Sequence, residues 1–389
     1  MRRSELQGML KDRTAIVGIG ESVFGKNLGP TEIELACRVI KAALDDAGIK
    51  PGEVDALSSY TMEETLEFEV ARNLGMGDLT FFSQIGYGGG AGCAAVGHVA
   101  MAVATGVSNV GVVWRSRKRS DPRKRVWAQA TARVSDHWKY SRPWGLLRPV
   151  DEVAMFWQRY MHEYGATRDH LANVALACRR HANTNPRAFM YDRILTRDAY
   201  MAARWISEPL CLFDNCLESD GALAVVIVRA ERAKDCPHPP AYIHAWSQGL
   251  TRQHQNMTNY HSENPMKGAA WAVAKNLWRQ AELQPRDVKV AQIYDAFTPL
   301  IPFSLEAFGF CKQGEGGAFT ENGAIELGGR LPVNTSGGSL SEAYIHGMNL
   351  VTEGVRQIRG TSTAQVPGAD VCLVTSAYVV PTSAVLLRR

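Results

Sequence analysis

The sequence predicts an α/β protein made of two similar layered halves. Short apolar runs of strand length alternate with longer segments of helical periodicity, the pattern of strands and helices packed in layers. The alternation runs twice, on either side of the proline-rich stretch 236–241. Halves at 1–235 and 242–389 are therefore expected, the first carrying a long loop and helical excursion over about 115–210. A chain of 389 residues suits such a duplicated unit.

In chain order, Thr14–Gly20 reads as a short buried strand. It does not open a dinucleotide-binding GxGxxG turn, because Val23 stands where the third glycine belongs. Over 31–48, Ile33, Ala36, Ile40, Ala43, Leu44 and Ala47 share one helical face, and Gly48 ends the helix. Val54–Ser59 is a second strand. Ile85–Gly106 begins rich in glycine and continues small and apolar on nearly every side, as a buried helix does. Val110–Trp114 is a strand, and helical patterns follow at 151–164 and 168–182. Ala222–Val228 is continuously apolar, which suits a central strand. The second half offers a strand near 242–247, a helix at 267–282, a strand at Val288–Ile293 and an apolar helix near 300–309. A glycine turn at Asn334–Ser339 then opens a helix to about Arg359, and Val371–Ala377 is a strand.

Composition narrows the class. Apolar residues at 46% and charged residues at 21% indicate a large core. The net charge of +4 is local: Trp114–Trp127 holds seven basic residues and one acid. Residues 115–125 read as a solvated loop or as a surface for an acidic partner or a phosphorylated cofactor. No nucleic-acid-binding motif accompanies them, so no nucleic acid is expected. The eight cysteines form no CxxC pair, which fits a reduced cytoplasmic protein and no metal site. Residues 1–8 lack the apolar core of a secretory signal, and no apolar run reaches about 18 residues, so no membrane span is expected.

Three segments carry candidate chemistry. Gly86–Gly92 is a glycine-rich turn entering a buried helix, where backbone can approach a ligand or simply another helix closely. Gln292–Leu300 delivers Tyr294 and Asp295 from a strand end into a turn, the place where sites collect in α/β folds; a buried aromatic and a helix cap are the alternative. Asn334–Asn349 combines the double glycine Gly337–Gly338 with Glu342, Tyr344 and His346. Such a turn can surround a thioester or an oxyanion, or be an ordinary capped helix start.

Together these segments resemble the thiolase superfamily, in its lipid-transfer-protein or sterol-carrier-type branch, from about residue 13 to 389. Asn334, Gly337 and Gly338 match the family's Asn-x-Ser-Gly-Gly turn. Tyr294–Phe297 sits where the branch has His-Asp-Ala/Cys-Phe, and Leu212–Ala222 resembles its Asp…Ser-Asp-Gly-Ala segment. The resemblance implies a thiolase fold of duplicated five-layer αβαβα halves.

The departures from that pattern are functional. Counting back from Gly106, and matching Gly92 and Ala95, puts Gly89 at the position of the nucleophilic cysteine. Cys93 lies four residues later and is out of register. Tyr294 and Tyr344 stand at the two histidine positions, and Cys372 is followed by no glycine run. Covalent acyl transfer needs a thiolate and its activator, so thiolysis is not expected. The pattern is similar to that of the lipid-transfer-protein aldolases of actinobacterial steroid catabolism. That resemblance implies retro-aldol cleavage of a steroid β-hydroxyacyl-CoA to a ring ketone and propionyl-CoA. It implies Tyr294 and Tyr344 as acid–base groups, with Asp295 beside them, and Gly89, Gly337, Gly338 and His346 around the thioester. His346, two residues past Tyr344 on the expected helix, is read as pointing elsewhere. No permanently bound cofactor or metal is implied, and coenzyme A enters with the substrate. A homodimer is expected, with a small OB-fold, zinc-ribbon, acyl-CoA-binding companion. A longer sterol side chain, a non-catalytic binding protein and a residual thiolase using Cys93 remain open.

Overall fold

The computed structural model describes residues 10–60, 65–120, 136–255, 257 and 259–389. The signal-sequence reading of residues 1–8 and the basic residues Arg123, Lys124 and Arg125 lie outside them.

One nine-stranded mixed sheet organises the chain. The first half supplies β1 (Thr14–Glu21), β2 (Ala56–Tyr60), β3 (Phe81–Ile85) and β4 (Val110–Arg117). A separate ribbon of β5 (Trp205–Ser207) and β6 (Leu210–Cys211) precedes β7 (Gly221–Arg229), which rejoins the main sheet. Then come β8 (Ala241–Gly249), β9 (Val290–Gln292), β10 (Val371–Thr375) and β11 (Thr382–Arg388). The spatial order is β3-β2-β4-β7-β1-β8-β11-β10-β9. Each side repeats one scheme. β2 lies parallel to β4, which is antiparallel to β7, itself antiparallel to β1. Likewise β9 lies parallel to β10, which is antiparallel to β11, itself antiparallel to β8.

Helices complete the layers. Helix α1 (Glu32–Ala47) covers β1, β7 and β4 on the outside. Its start is capped by the Thr31 hydroxyl, which accepts from the Glu34 N–H at 3.2 Å, and Gly48 ends it at φ 66°. Helix α2 (Glu67–Leu74) sits beside α1, and α3 (Gly92–Thr105) lies between the two halves, touching β2 and β4 as well as β8 and β11. That double cover explains its apolar surface. The excursion carries α4 (Pro149–Tyr164) and α5 (Arg168–Ala182), and α6 (Ala269–Ala281) is the outer helix on β8 and β11. Helices α7 (Leu300–Ala307), α8 (Gly338–Ser341) and α9 (Met348–Arg359) follow. Helix α9 shares the central layer, contacting β10 and β9 as well as β7. Layers therefore alternate α, β, α, β, α. Among the described residues no helix is long and apolar enough to cross a membrane.

Two expectations are corrected. The helix opened by the glycine turn stops at Ser341 and resumes at Met348. Its continuity is broken by His346 and Gly347, which take left-handed backbone at φ 49° and 84°. The described part of the basic run is no solvated loop. Pairing with β7 carries β4 through Arg117, opposite Gly221, and Arg115 and Arg117 are each only 3% exposed.

The contact of β1 with α1 is close enough to test. A β-carbon at Gly18 would stand 2.1 Å from the Ala43 carbonyl oxygen and 2.8 Å from the Ala47 Cβ. Gly18→Ala is expected to lower stability by about 1–3 kcal/mol, read from the guanidinium midpoint. An unchanged midpoint would contradict this packing.

Candidate active site

The site begins at the end of β9. Asn334, held in left-handed backbone at φ 53°, clips the strand's continuation. Its Oδ1 accepts from the Ile293 N–H at 2.7 Å, and its Nδ2 donates to the Ile293 carbonyl at 2.8 Å. The next residue, Tyr294, donates its N–H to Thr375 Oγ1 at 3.2 Å, which ties it to β10. The phenol is thus aimed by backbone bonds on both sides of the strand end.

Tyr344 arrives from the segment between α8 and α9. Its N–H donates to Ser219 Oγ at 2.9 Å, and its carbonyl accepts from Arg117 Nη1 at 3.0 Å. The Arg117 guanidinium lies over its ring, 4.5 Å from the centroid. The two hydroxyls meet at 2.8 Å. Tyrosines fifty residues apart in sequence are thereby joined by one hydrogen bond.

Gly89 explains why the pair fits. A β-carbon built there would stand 1.9 Å from the Tyr294 hydroxyl oxygen. The space that a side chain at position 89 would need is filled by that phenol. Cys93 offers no substitute. It is 1% exposed, its thiol faces the Val374 carbonyl at 3.5 Å, and burial pushes its pKa up to about 12.

Asp295 does not reach the phenols through its hydrogen bonds. Its carboxylate accepts the N–H groups of Ser339 at 2.8 Å and Leu340 at 3.3 Å, at the start of α8. A β-carbon at Gly338 would stand 2.2 Å from Asp295 Oδ2, so glycine is required for this approach. Burial raises the Asp295 pKa to about 6 despite these donors. Gly337 and Gly338 thus pack against Ala182 and Asp295, and neither lines the cavity below. Glu342 is likewise turned into the interior, accepting from Ser336 Oγ at 2.6 Å and Asn349 Nδ2 at 3.0 Å.

His346 is corrected in place. It is not on a helix, and its ring meets the Tyr344 ring edge-on, with centroids 5.1 Å apart. Arg115, which sequence reading left in a surface run, donates to its Nδ1 from Nη2 at 2.8 Å and from Nε at 3.2 Å. Arg115 and Arg117 are site residues that motif spacing missed, while Ser219 falls in the Leu212–Ala222 motif, which gave it no role. Past Trp114 the sequence reads Arg-Ser-Arg-Lys, so no apolar pattern marked these arginines as interior.

Tyr294, Tyr344, Gly89 and His346 line one cavity of about 880 Å³. Its walls are largely apolar, with Met190, Leu195, Ile206 and Phe213 among them, and Lys26, Arg119 and Arg204 add positive charge. Burial, and for each tyrosine the neighbouring groups, raise both phenol pKa values above that of free tyrosine. Both phenols are therefore neutral at neutral pH. A hydrogen-bonded pair of neutral hydroxyls can pass a proton in one direction by accepting at one end and donating at the other.

The sequence matches the family model for the thiolase N-terminal domain over residues 13–201 and that for the thiolase C-terminal domain-like region over 250–387. It is similar to the 17-hydroxy-3-oxo-4-pregnene-20-carboxyl-CoA lyase of Mycobacterium tuberculosis, at 46% identity over 97% of this chain and 100% of that one. It is also similar to the steroid side-chain-cleaving aldolase of Thermomonospora curvata, at 46% identity over 97% and 98%. The solved Ltp2-ChsH2(DUF35) aldolase matches with a TM-score of 0.93 and 45% identity, covering 98% of each chain. Human mitochondrial 3-ketoacyl-CoA thiolase in complex with CoA matches with a TM-score of 0.69 at 13% identity, a likeness of fold alone.

The burial of Cys93 has a direct consequence. Iodoacetamide is expected to leave Cys93 unmodified in the native protein and to label it after guanidinium denaturation, as read by peptide mass mapping. Rapid native labelling would show an accessible thiol and reopen a cysteine mechanism.

Proposed function

The chain belongs to the thiolase superfamily, and from that premise we propose that it is a carbon–carbon lyase that cleaves the side chain of a steroid acyl-CoA by a retro-aldol reaction. The observation that carries this is the phenol pair seated over Gly89. The relatives at 46% identity are a lyase and an aldolase of this kind. The cavity is apolar and large enough for a fused-ring substrate, and its positive residues suit the phosphates of coenzyme A.

The substrate class is that of the similar lyase, a 17-hydroxy steroid with a 20-carboxyl-CoA side chain. Tyr294 takes the proton of the ring-carbon hydroxyl. The C–O bond becomes a ketone, the bond to the α-carbon breaks, and its electron pair moves onto the thioester as an enolate. Tyr294 hands its own proton across the 2.8 Å bond to Tyr344, which protonates the α-carbon. Ring ketone and propionyl-CoA leave, and the net proton transfer is zero. The relay never needs a free phenolate, which suits phenols whose pKa values burial has raised. Asp295 acts as a positioning residue by pinning α8 to the end of β9.

Partners follow from the same reading. β3 is an edge strand with Phe82 68% exposed, which supports a homodimer formed through the first half. The similar structure is a complex with a DUF35 protein. This chain is accordingly assigned a small companion of that type, with the OB fold, zinc ribbon and acyl-CoA-binding role that the sequence resemblance implies. The eight thiols, all free, suit a reducing cytoplasm.

Tyr294→Phe and Tyr344→Phe are each expected to slow propionyl-CoA release from a 17-hydroxy steroid-20-carboxyl-CoA by roughly 10²–10⁴-fold. Near-normal rates in both would sink the assignment. Gly89→Ala forces the Tyr294 hydroxyl to move by an ångström or more, so a loss on the order of 100-fold is expected in enzyme whose circular dichroism shows it folded. A fully active Gly89→Ala enzyme would show that the position of this phenol does not matter.

A further inference from the structure

We propose that Arg115 locks His346 as a neutral imidazole whose Nε2–H donates to the thioester oxygen of the substrate. This rests on the retro-aldol reading and adds to it a donor for the enolate.

The tautomer follows from the partners. A guanidinium has donors and no acceptor. Two of its nitrogens, Arg115 Nη2 and Nε, address the same His346 nitrogen, Nδ1, at 2.8 and 3.2 Å. Nδ1 must therefore keep its lone pair, and the single proton of the neutral ring is on Nε2. The charged groups acting on the ring are Arg115, Arg117 and Arg119, and with burial they all oppose a second proton. Tyr60 and Tyr344 are the titratable groups packed nearest, and both phenol pKa values are raised, so neither supplies a negative charge that would favour imidazolium.

The placement is built rather than incidental. His346 holds left-handed backbone at φ 49°, which a side-chain-bearing residue rarely adopts. Its carbonyl is fixed by the Tyr60 hydroxyl at 3.2 Å. Arg115 lies on β4, and its guanidinium also sits over the Tyr60 ring, 5.5 Å from the centroid. These contacts seat the imidazole in the same cavity wall as the two phenols.

The chemistry needs such a donor. When the carbon–carbon bond breaks, negative charge collects on the thioester oxygen. The two phenols are occupied with the proton relay, which leaves that oxygen to another group. A neutral N–H held in a dry site stabilises developing charge without reorganising, and it does not compete with Tyr344 to protonate the α-carbon.

Two measurements on the complete protein with its companion test this. In protein labelled with ¹⁵N-histidine, the His346 ring is assigned by the signals lost in His346→Gln. Its Nδ1 is expected to be unprotonated and its Nε2 protonated, unchanged from about pH 6 to 9. An imidazolium or an Nδ1–H tautomer would overturn the lock. In the cleavage assay, His346→Ala is expected to lower kcat by roughly 10²–10³-fold with KM nearly unchanged. Arg115→Gln, which keeps a donor for Nδ1, is expected to retain more kcat than Arg115→Met. A His346→Ala kcat within about threefold of wild type would overturn the donor role. Wild-type enzyme that releases no propionyl-CoA would overturn the retro-aldol reading and the donor role with it, while the nitrogen spectrum would still decide the lock.

Discussion

A hydroxyl and a β-carbon cannot both occupy the space above Gly89, and the architecture of the site follows from that exclusion. The Tyr294 oxygen lies where a side chain at position 89 would begin. A nucleophile there and the phenol just beyond the end of β9 are mutually exclusive, so the two changes from the thiolase pattern form one structural unit. The phenol that fills the gap is presented to Tyr344 at hydrogen-bond distance. The same packing that excludes a side chain at position 89 brings the two phenols together.

The phenol pair depends on the frame that holds it. Asn334 substitutes for a strand partner by bonding both polar groups of Ile293, and Asp295 caps α8 with two backbone donors. Each such buried bond contributes about 0.5–1.5 kcal/mol net, but leaving its partner unpaired costs more. The Asn-x-x-Gly-Gly motif is thus a fastening. Asparagine clips the strand, and Gly338 lets the carboxylate come close. These residues lie behind the cavity wall, which is why a reading from motif alone placed the glycines around the thioester.

Elements with a strong period were legible in the sequence. The α1 stripe, the apolar all-round α3 and the central β7 fall within a few residues of where patterning puts them. The edge strand β3 was missed because one face is exposed and its apolar content is diluted. The final strand β11 was missed behind the Val379–Pro381 turn. The break before α9 was hidden because it depends on His346 adopting positive φ, a conformation histidine does not advertise. For the site, spacing against a family pattern singled out Tyr294 and Tyr344, while the hydrogen bond between them came from the fold. It could not show Arg115 and Arg117, because charge in sequence reads as solvent exposure. In the fold these guanidiniums are accommodated by aromatic faces and a carbonyl instead.

That accommodation clarifies how a buried site tolerates so much positive charge. Arg115, Arg117 and Arg119 are all buried near two neutral phenols and a neutral imidazole. In the resting enzyme burying such charge is costly, because contacts in the low-dielectric interior only partly replace the lost water. During retro-aldol cleavage the site acquires an enolate, and the same low dielectric then makes each guanidinium's attraction larger than it would be in water. The guanidiniums keep their resting contacts, and their attraction to the enolate is added as the bond breaks. Interactions that strengthen only then lower the barrier instead of deepening substrate binding. Neutral phenols suit this arrangement. A resting phenolate would draw on the same guanidiniums before the substrate did, so less of their attraction would be left for the enolate.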